Sequence, residues 1–156
     1  MDSLAIDASA KATAQHWLDA FAKALASGDK PGIAALFAGE CFWRDILAFD
    51  WDLHTTAGAD AIATRIAGRL GATKPHELRL AKDRTPPRVV MRAGTDCIEA
   101  LFTFESAVGP CNGVVRLVPE NGIYRAWTLA TLLDEIRGHE DPANGKRWQN
   151  VDWKRN

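Results

Sequence analysis

Apolar residues recur at helical spacing up to Leu70 and, after Pro75, at strand spacing, and no other feature of the sequence restricts the fold so much. A period of 3.6 buries one stripe of a helix, whereas a period of 2 buries one face of a strand. The chain therefore reads as helices first and sheet second. In residues 8–27 the stripe is Ala14, Trp17, Leu18, Phe21, Ala24 and Leu25; Asp7 or Ser9 can accept from the first free N–H groups, and Gly28 stops the helix. Asp29 and Pro31 open a short second helix with Ile33, Leu36 and Phe37 on its apolar side, closed by Gly39. A third helix is expected over Ala59–Leu70, with Ile62, Ile66 and Leu70 inward, Arg65 and Arg69 outward, and Gly71 and Pro75 ending it.

One strand interrupts the helices. Cys41–Phe49 alternates, with Cys41, Trp43, Asp45, Leu47 and Phe49 on one face and Phe42, Arg44, Ile46 and Ala48 on the other. Both faces are largely apolar, which predicts cover on both sides. Residues 50–57 form a connection with room for a short extended piece. After Pro75, strands are expected at His76–Asp83, Arg88–Ala93, Cys97–Val108, Gly113–Pro119 and Ile123–Leu133. Pro86-Pro87, Gly94, Gly109-Pro110 and the hairpin signal Asn121-Gly122 separate them. Alternation places Ile98, Ala100, Phe102 and Phe104 on one face of the third of these strands, with Glu99, Thr103 and Glu105 opposite. In the last strand it groups Ile123, Arg125, Trp127, Leu129, Thr131 and Leu133. Strands this long imply a strongly curved sheet.

Three helices followed by a strand meander is an α+β order, in which helices pack on one face of a curved, mostly antiparallel sheet and leave a cone-shaped barrel with one open end. That end is a ready pocket for a small molecule. Residues 1–138 form this single domain, and 139–156 form a polar C-terminal tail or linker in which Trp148 and Trp153 can dock back or onto a neighbour.

Composition narrows the function. A net charge of -1 offers neither a basic face for nucleic acid nor a polybasic membrane anchor. No apolar run approaches a membrane span, and the N-terminus lacks the pattern of a secretory signal. Cys41, Cys97 and Cys111 are odd in number and widely spaced, which argues against a disulfide framework and a structural zinc site. A reduced, cytoplasmic compartment is the expectation. The chain has no Gly-x-Gly, hence no dinucleotide fingerprint, and neither a cofactor nor a metal is expected in it.

The series SGDKPGIAALFAGECFWRD, then TTAGADAI, then the closing strands resembles the nuclear transport factor 2-like superfamily, which includes ketosteroid isomerases and SnoaL-like polyketide cyclases; the similarity covers residues 10–138. A narrower resemblance, carried by WRDILAFDWDLHT, FTFESAVGPCNGVVRLVP and RAWTLATLLDEIRGHED, is to the N-terminal domain found ahead of flavin-containing monooxygenase-like modules. The first resemblance implies a homodimer paired through the outer sheet face. The second implies a flavin monooxygenase module as partner.

Laid against the isomerase pattern, Asp45 falls on the general-base carboxylate, and Phe21 falls where the isomerases carry an oxyanion-donating tyrosine. Phe donates no hydrogen bond, and losing one such donor typically slows a reaction about 10²–10³-fold. Steroid isomerisation by the family mechanism is therefore not expected. An inward Asp45 lies in an apolar wall, the setting in which a carboxylate can serve as a base near neutrality; otherwise it is a structural partner of Arg44, His54 or a backbone N–H. Asp50, Asp52 and His54 share one side of an extended segment, a spacing that can orient an imidazole, hold a metal or simply cap a turn, the last being the expectation. Trp43, Trp51 and Trp127, with Phe21 on the helical wall, are expected to line the cavity, which suits an apolar or aromatic small molecule bearing one polar group. Three functions follow: a small-molecule-binding domain accessory to a monooxygenase; a cofactor-independent isomerase, dehydratase or lyase with Asp45 as base and His54 or an Arg as electrophile; or a dimerisation or scaffold module, which requires a cone plugged by side chains.

Overall fold

Leu36 is where helix gives way to sheet. Its carbonyl accepts from the N–H of Ala126 at 2.8 Å and from the indole of Trp17 at 3.0 Å, which draws the chain out of the helix and into a strand pairing. The computed structural model describes residues 3–140, with side chains from residue 8 onward. Residues 141–156 of the expected tail, including Trp148 and Trp153, lie outside the described residues.

Three helices are present: α1 (Ser3–Ser27), α2 (Lys30–Ala35) and α3 (Ala59–Thr73). Helix α1 starts upstream of the expected residue 8, in a stretch rich in Leu and Ala and free of Gly and Pro. Helix α2 is capped by Asp29, whose carboxylate accepts from the N–H of Gly32 at 3.0 Å, and ends before Phe37. Phe37 and Gly39 are therefore strand residues, not the end of a helix. Helix α3 runs through Gly71 and ends at Lys74, in the left-handed region just before Pro75.

The strands are β1 (Phe37–Ile46), β2 (His54–Ala57), β3 (His76–Leu80), β4 (Arg88–Arg92), β5 (Thr95–Glu105), β6 (Pro110–Glu120) and β7 (Ile123–Leu133). Their order is β2-β1-β7-β6-β5-β3, with β4 lying beside β3 along the same edge of β5. Every pairing is antiparallel except β1–β7. The ends of the order are unpaired, so the cone stays open. Strand β1 stops at Ile46 because Leu47 takes φ 65, and Leu47 and Phe49 thus fall outside the strand on which the sequence placed them. Both two-residue hairpins, Ala93-Gly94 and Asn121-Gly122, use paired positive φ values, as a right-twisted hairpin requires.

The helices pack on one sheet face alone. Trp17, Phe21, Ile33, Ile62 and Ile66 meet Trp43, Ala100, Phe102, Val115 and Leu129 in one core. No described element covers the outer face: Phe42 is 37% exposed and Arg44 is exposed, which among the described residues corrects the expectation that β1 is covered on both sides. In β7 the alternation slips at Trp127, because Thr128 pairs with Arg116 and Ala126 with Leu117. That bulge puts Ala126, not Arg125 or Trp127, on the core side. Trp127 is half-buried and belongs neither to the core cluster nor to the residues packed against it.

Candidate functional site

Asp45 stands between Thr131 and His54 in a row of directly opposed residues that crosses five strands on the core face: Phe102, Gly113, Thr131, Asp45 and His54. It is 3% exposed, as an inward position on β1 dictates. Its Oδ2 accepts the N–H groups of Phe49 and Asp50, each at 2.9 Å, and its Oδ1 accepts the hydroxyl proton of Thr131 at 2.5 Å. Thr131 Oγ1 in turn accepts from the indole N–H of Trp43 at 3.0 Å. A buried carboxylate needs such donors, since an unpaired one would carry a desolvation penalty of several kcal/mol. The two backbone bonds fasten residues 47–50 and hold the left-handed turn at Leu47, a conformation that disfavours a residue bearing a Cβ by roughly 1–2 kcal/mol.

The network continues outward through Asp50. Its Oδ2 accepts from Arg65 at 3.1 Å and Arg69 at 2.8 Å, so the two arginines of α3 that the sequence placed outward fold over the 47–53 loop. Arg65 Nη2 also lies 2.9 Å from His54 Nδ1. A guanidinium only donates, so Nδ1 is the acceptor and the ring proton sits on Nε2. That Nε2 is buried with no partner among the described residues. Asp52 Oδ2 is 3.3 Å from the same Nδ1 but largely exposed, and an acceptor facing an acceptor forms no hydrogen bond. Asp45 and His54 therefore belong to one network, joined through Asp50 and Arg65. No group of three or more His, Cys, Asp or Glu placed to hold a metal occurs among the described residues.

The interior above this row is filled. The gap bounded by Phe21, Leu25, Phe49, Leu78, Phe102, Phe104 and Thr131 totals about 150 Å³ and has no room for a water-sized sphere. Phe102 is laid flat over Gly113, where an added Cβ would stand 2.1 Å from the ring. Phe49 packs edge-on against Trp43 at 5.5 Å. Of the residues expected to line a hollow, Trp43 and Phe21 are core residues, and Phe21 is stacked on Trp17. Trp51 is 65% exposed in the 47–53 loop, and Trp127 is displaced to the bulge. Grooves of about 350, 450 and 570 Å³ open at Asp134, Tyr124 and Gly71 respectively, and none touches Asp45 or His54.

The three cysteines are buried and free. Burial raises the thiols of Cys41 and Cys97 and pushes Cys111 up to about 11, so none is poised as a nucleophile. Sequence reasoning missed Thr131 as the partner of Asp45 and Gly113 as the seat of Phe102. The strand alternation that put Thr131 on the core face carried the signal for the first.

No family model matches the sequence, and no curated protein matches it. Solved structures do resemble the fold. A nuclear transport factor 2-like protein of unknown function from Pseudomonas putida KT2440 matches with TM-score 0.60 at 14% identity, over 85% of this chain and 93% of its own. An uncharacterised protein with a cystatin-like fold from Caulobacter vibrioides gives TM-score 0.60 at 14% identity, over 87% and 94%. A domain of unknown function with a cystatin-like fold from Nostoc punctiforme gives 0.59 at 11%, over 88% and 82%. At such identities the likeness establishes the fold alone: an open, cone-shaped α+β architecture of the nuclear transport factor 2-like kind.

Proposed function

We propose that this chain is a non-catalytic binding domain that works as a homodimer joined over the outer face of its sheet. The bonding of Asp45 carries the non-catalytic half. Both of its oxygens accept from donors that belong to the fold, and the grooves at Asp134, Tyr124 and Gly71 do not touch it. A general base must be free to take a proton from a bound substrate. A proton taken on Oδ2 would disturb the loop it fastens, and one taken on Oδ1 would compete with Thr131, which weighs against an isomerase, dehydratase or lyase built on Asp45 and His54.

The dimer is supported by the rows of the outer face. Leu101, Val114 and Ala130 stand side by side across β5, β6 and β7 with Arg44 ending the row on β1; Leu132 and Ile46 are in the next row beside Asn112, and Phe42 is in the row on the other side, which leads through Thr128 to Arg116. These side chains are half-buried or exposed, and no described helix covers them. An apolar strip bordered by charge on an open sheet matches a second copy of itself about a two-fold axis. Sedimentation of the chain is expected to give a dimer, and Val114→Asp a folded monomer. A wild-type monomer at about 100 μM, a concentration at which even a micromolar association saturates, would end this reading.

Uptake of an apolar or aromatic small molecule would have to open the gap of about 150 Å³ walled by Phe49 and Phe102, an apolar gap beside the Asp45–Thr131 pair. Titration with a naphthalene-sized hydrocarbon while following Trp fluorescence tests it, and an unchanged spectrum at saturation would remove it. Association with a flavin monooxygenase module is supported by the sequence resemblance alone; co-purification of the two as separate chains tests it.

A further inference from the structure

Away from the Asp45 network, Arg88, Glu99 and Arg116 form a directly opposed row across β4, β5 and β6 on the outer face. Arg92, on the same face of β4, reaches back to the same carboxylate. It grips Glu99 as a fork, with Nε at 3.0 Å from Oε2 and Nη2 at 2.8 Å from Oε1. Arg116 Nε donates to Oε2 at 2.9 Å, and Arg88 Nη2 stands 3.6 Å from Oε1. The Glu99 side chain is 14% exposed, while the three arginines remain between a third and a half open to solvent.

Three guanidiniums against one carboxylate leave two positive charges without a counterpart. Asp96, the nearest acid in sequence, falls on the opposite face by strand alternation. Neither Nη of Arg116, nor the Nε or Nη1 of Arg88, has a hydrogen-bond partner among the described residues. Like charges held together on a sheet repel, and within the cluster Glu99 offsets only one of the three. An oxyanion would offset it. Arginine forks match the geometry of phosphoryl oxygens, and two surplus charges match a dianion.

We propose that Arg88, Arg92 and Arg116 form a site for a phosphate group, free or as a phosphomonoester, on the outer face of the sheet. The free Nη atoms of Arg116 and the free Nε and Nη1 of Arg88 bind the anion. Glu99 is a positioning residue: it spaces the three guanidiniums and competes with the ligand for them. All three arginines belong to one chain, but Arg88, Glu99 and Arg116 continue the row of Phe42 and Thr128, so the site lies on the border of the strip proposed as the dimer face.

The test is calorimetric titration of the full chain with inorganic phosphate and, separately, with glycerol 3-phosphate, at ionic strength held constant with sodium chloride. Saturable binding is expected in the range of roughly 1 mM. Arg88→Gln and Arg116→Gln should each weaken it about tenfold, in keeping with the loss of a charge-assisted bond, with circular dichroism unchanged. Arg116→Lys, which keeps the charge but loses the fork, should weaken it too, and Glu99→Gln should tighten it. Saturation by phosphate but not by the ester assigns the free ion; saturation by both assigns the phosphoryl group in general. No saturable binding, or equal affinity in the Arg88→Gln/Arg116→Gln double variant, would leave the cluster a structural ion-pair network only and overturn the proposal.

Discussion

The hydroxyl of Thr131 bonds the carboxylate of Asp45 at 2.5 Å across β1–β7, the one parallel pairing among the described strands. Parallel neighbours cannot be joined by a hairpin, so this contact ties together segments 86 residues apart in the chain. The same Asp45 holds the turn that ends β1. One carboxylate thus closes the sheet seam and shapes the loop that follows it.

Replacing Asp45 is therefore expected to lower stability more than it changes any activity. Asp45→Asn keeps the shape but turns one acceptor into an amide facing donors, which should cost about 1–3 kcal/mol. Thr131→Val should fall in the same range, and the double variant should lose less than the sum, with a coupling of roughly 0.5–3 kcal/mol. Urea unfolding of the four proteins checks this. Additive losses would mean that the two residues act independently.

The seat of Phe102 gives a second expectation. A methyl at position 113 would stand 2.1 Å from a ring that is itself fully buried, so the ring must leave its place. Gly113→Ala should lose about 1–3 kcal/mol, as overpacked cores do. Adding Phe102→Leu, which withdraws the ring, should restore part of that loss. If the second change only deepens the defect, the clash is not what decides the first.

How far the sequence carried the fold, and where it failed, follows from these contacts. The change of period after Pro75 and the left-handed Asn121-Gly122 pair are local signals, and they placed the helices, the hairpins and β7. The end of α2 was misread because Leu36 is taken from the helix by Ala126, 90 positions away in a strand that no local pattern links to it. Trp127 was expected on the cavity wall because alternation groups it with Leu129 and Thr131, but alternation holds only until a bulge, and bulges leave no mark in hydropathy. The candidate site was legible in part. The inward side of Asp45 could be read from strand alternation, but its three donors and the packing of the Phe49 and Phe102 rings are tertiary properties.

Cys111 makes the alkaline side testable. Its thiol is raised from an ordinary 9.0 to about 11, chiefly by burial, so the folded state keeps a proton that the unfolded state releases. A raised value adds stability that is intact below pH 9.0 and is lost as pH climbs through about 11. Wild type should therefore lose stability over that window more steeply than Cys111→Ala, whatever the offset between them at neutral pH. In the same vein, a thiol reagent at pH 8, below that window, should leave Cys111 unmodified until denaturant is added.

Glu99 sets the opposite, acidic limb. Burial would lift its carboxyl, but hydrogen bonds from Arg92 and then Arg116 outweigh burial and hold it below the usual 4.5. A depressed carboxylate contributes stability that is present above its unfolded value and disappears as pH falls through the folded one. The stability gap between wild type and Glu99→Gln should then be widest near neutrality and narrow steadily on acidification below 4.5. Salt should narrow it less than it would narrow an exposed pair, because the carboxylate is largely shielded while the arginines are not. Parallel pH–stability curves for the two proteins would show that the arginines do not depend on the charge of Glu99 to stay together.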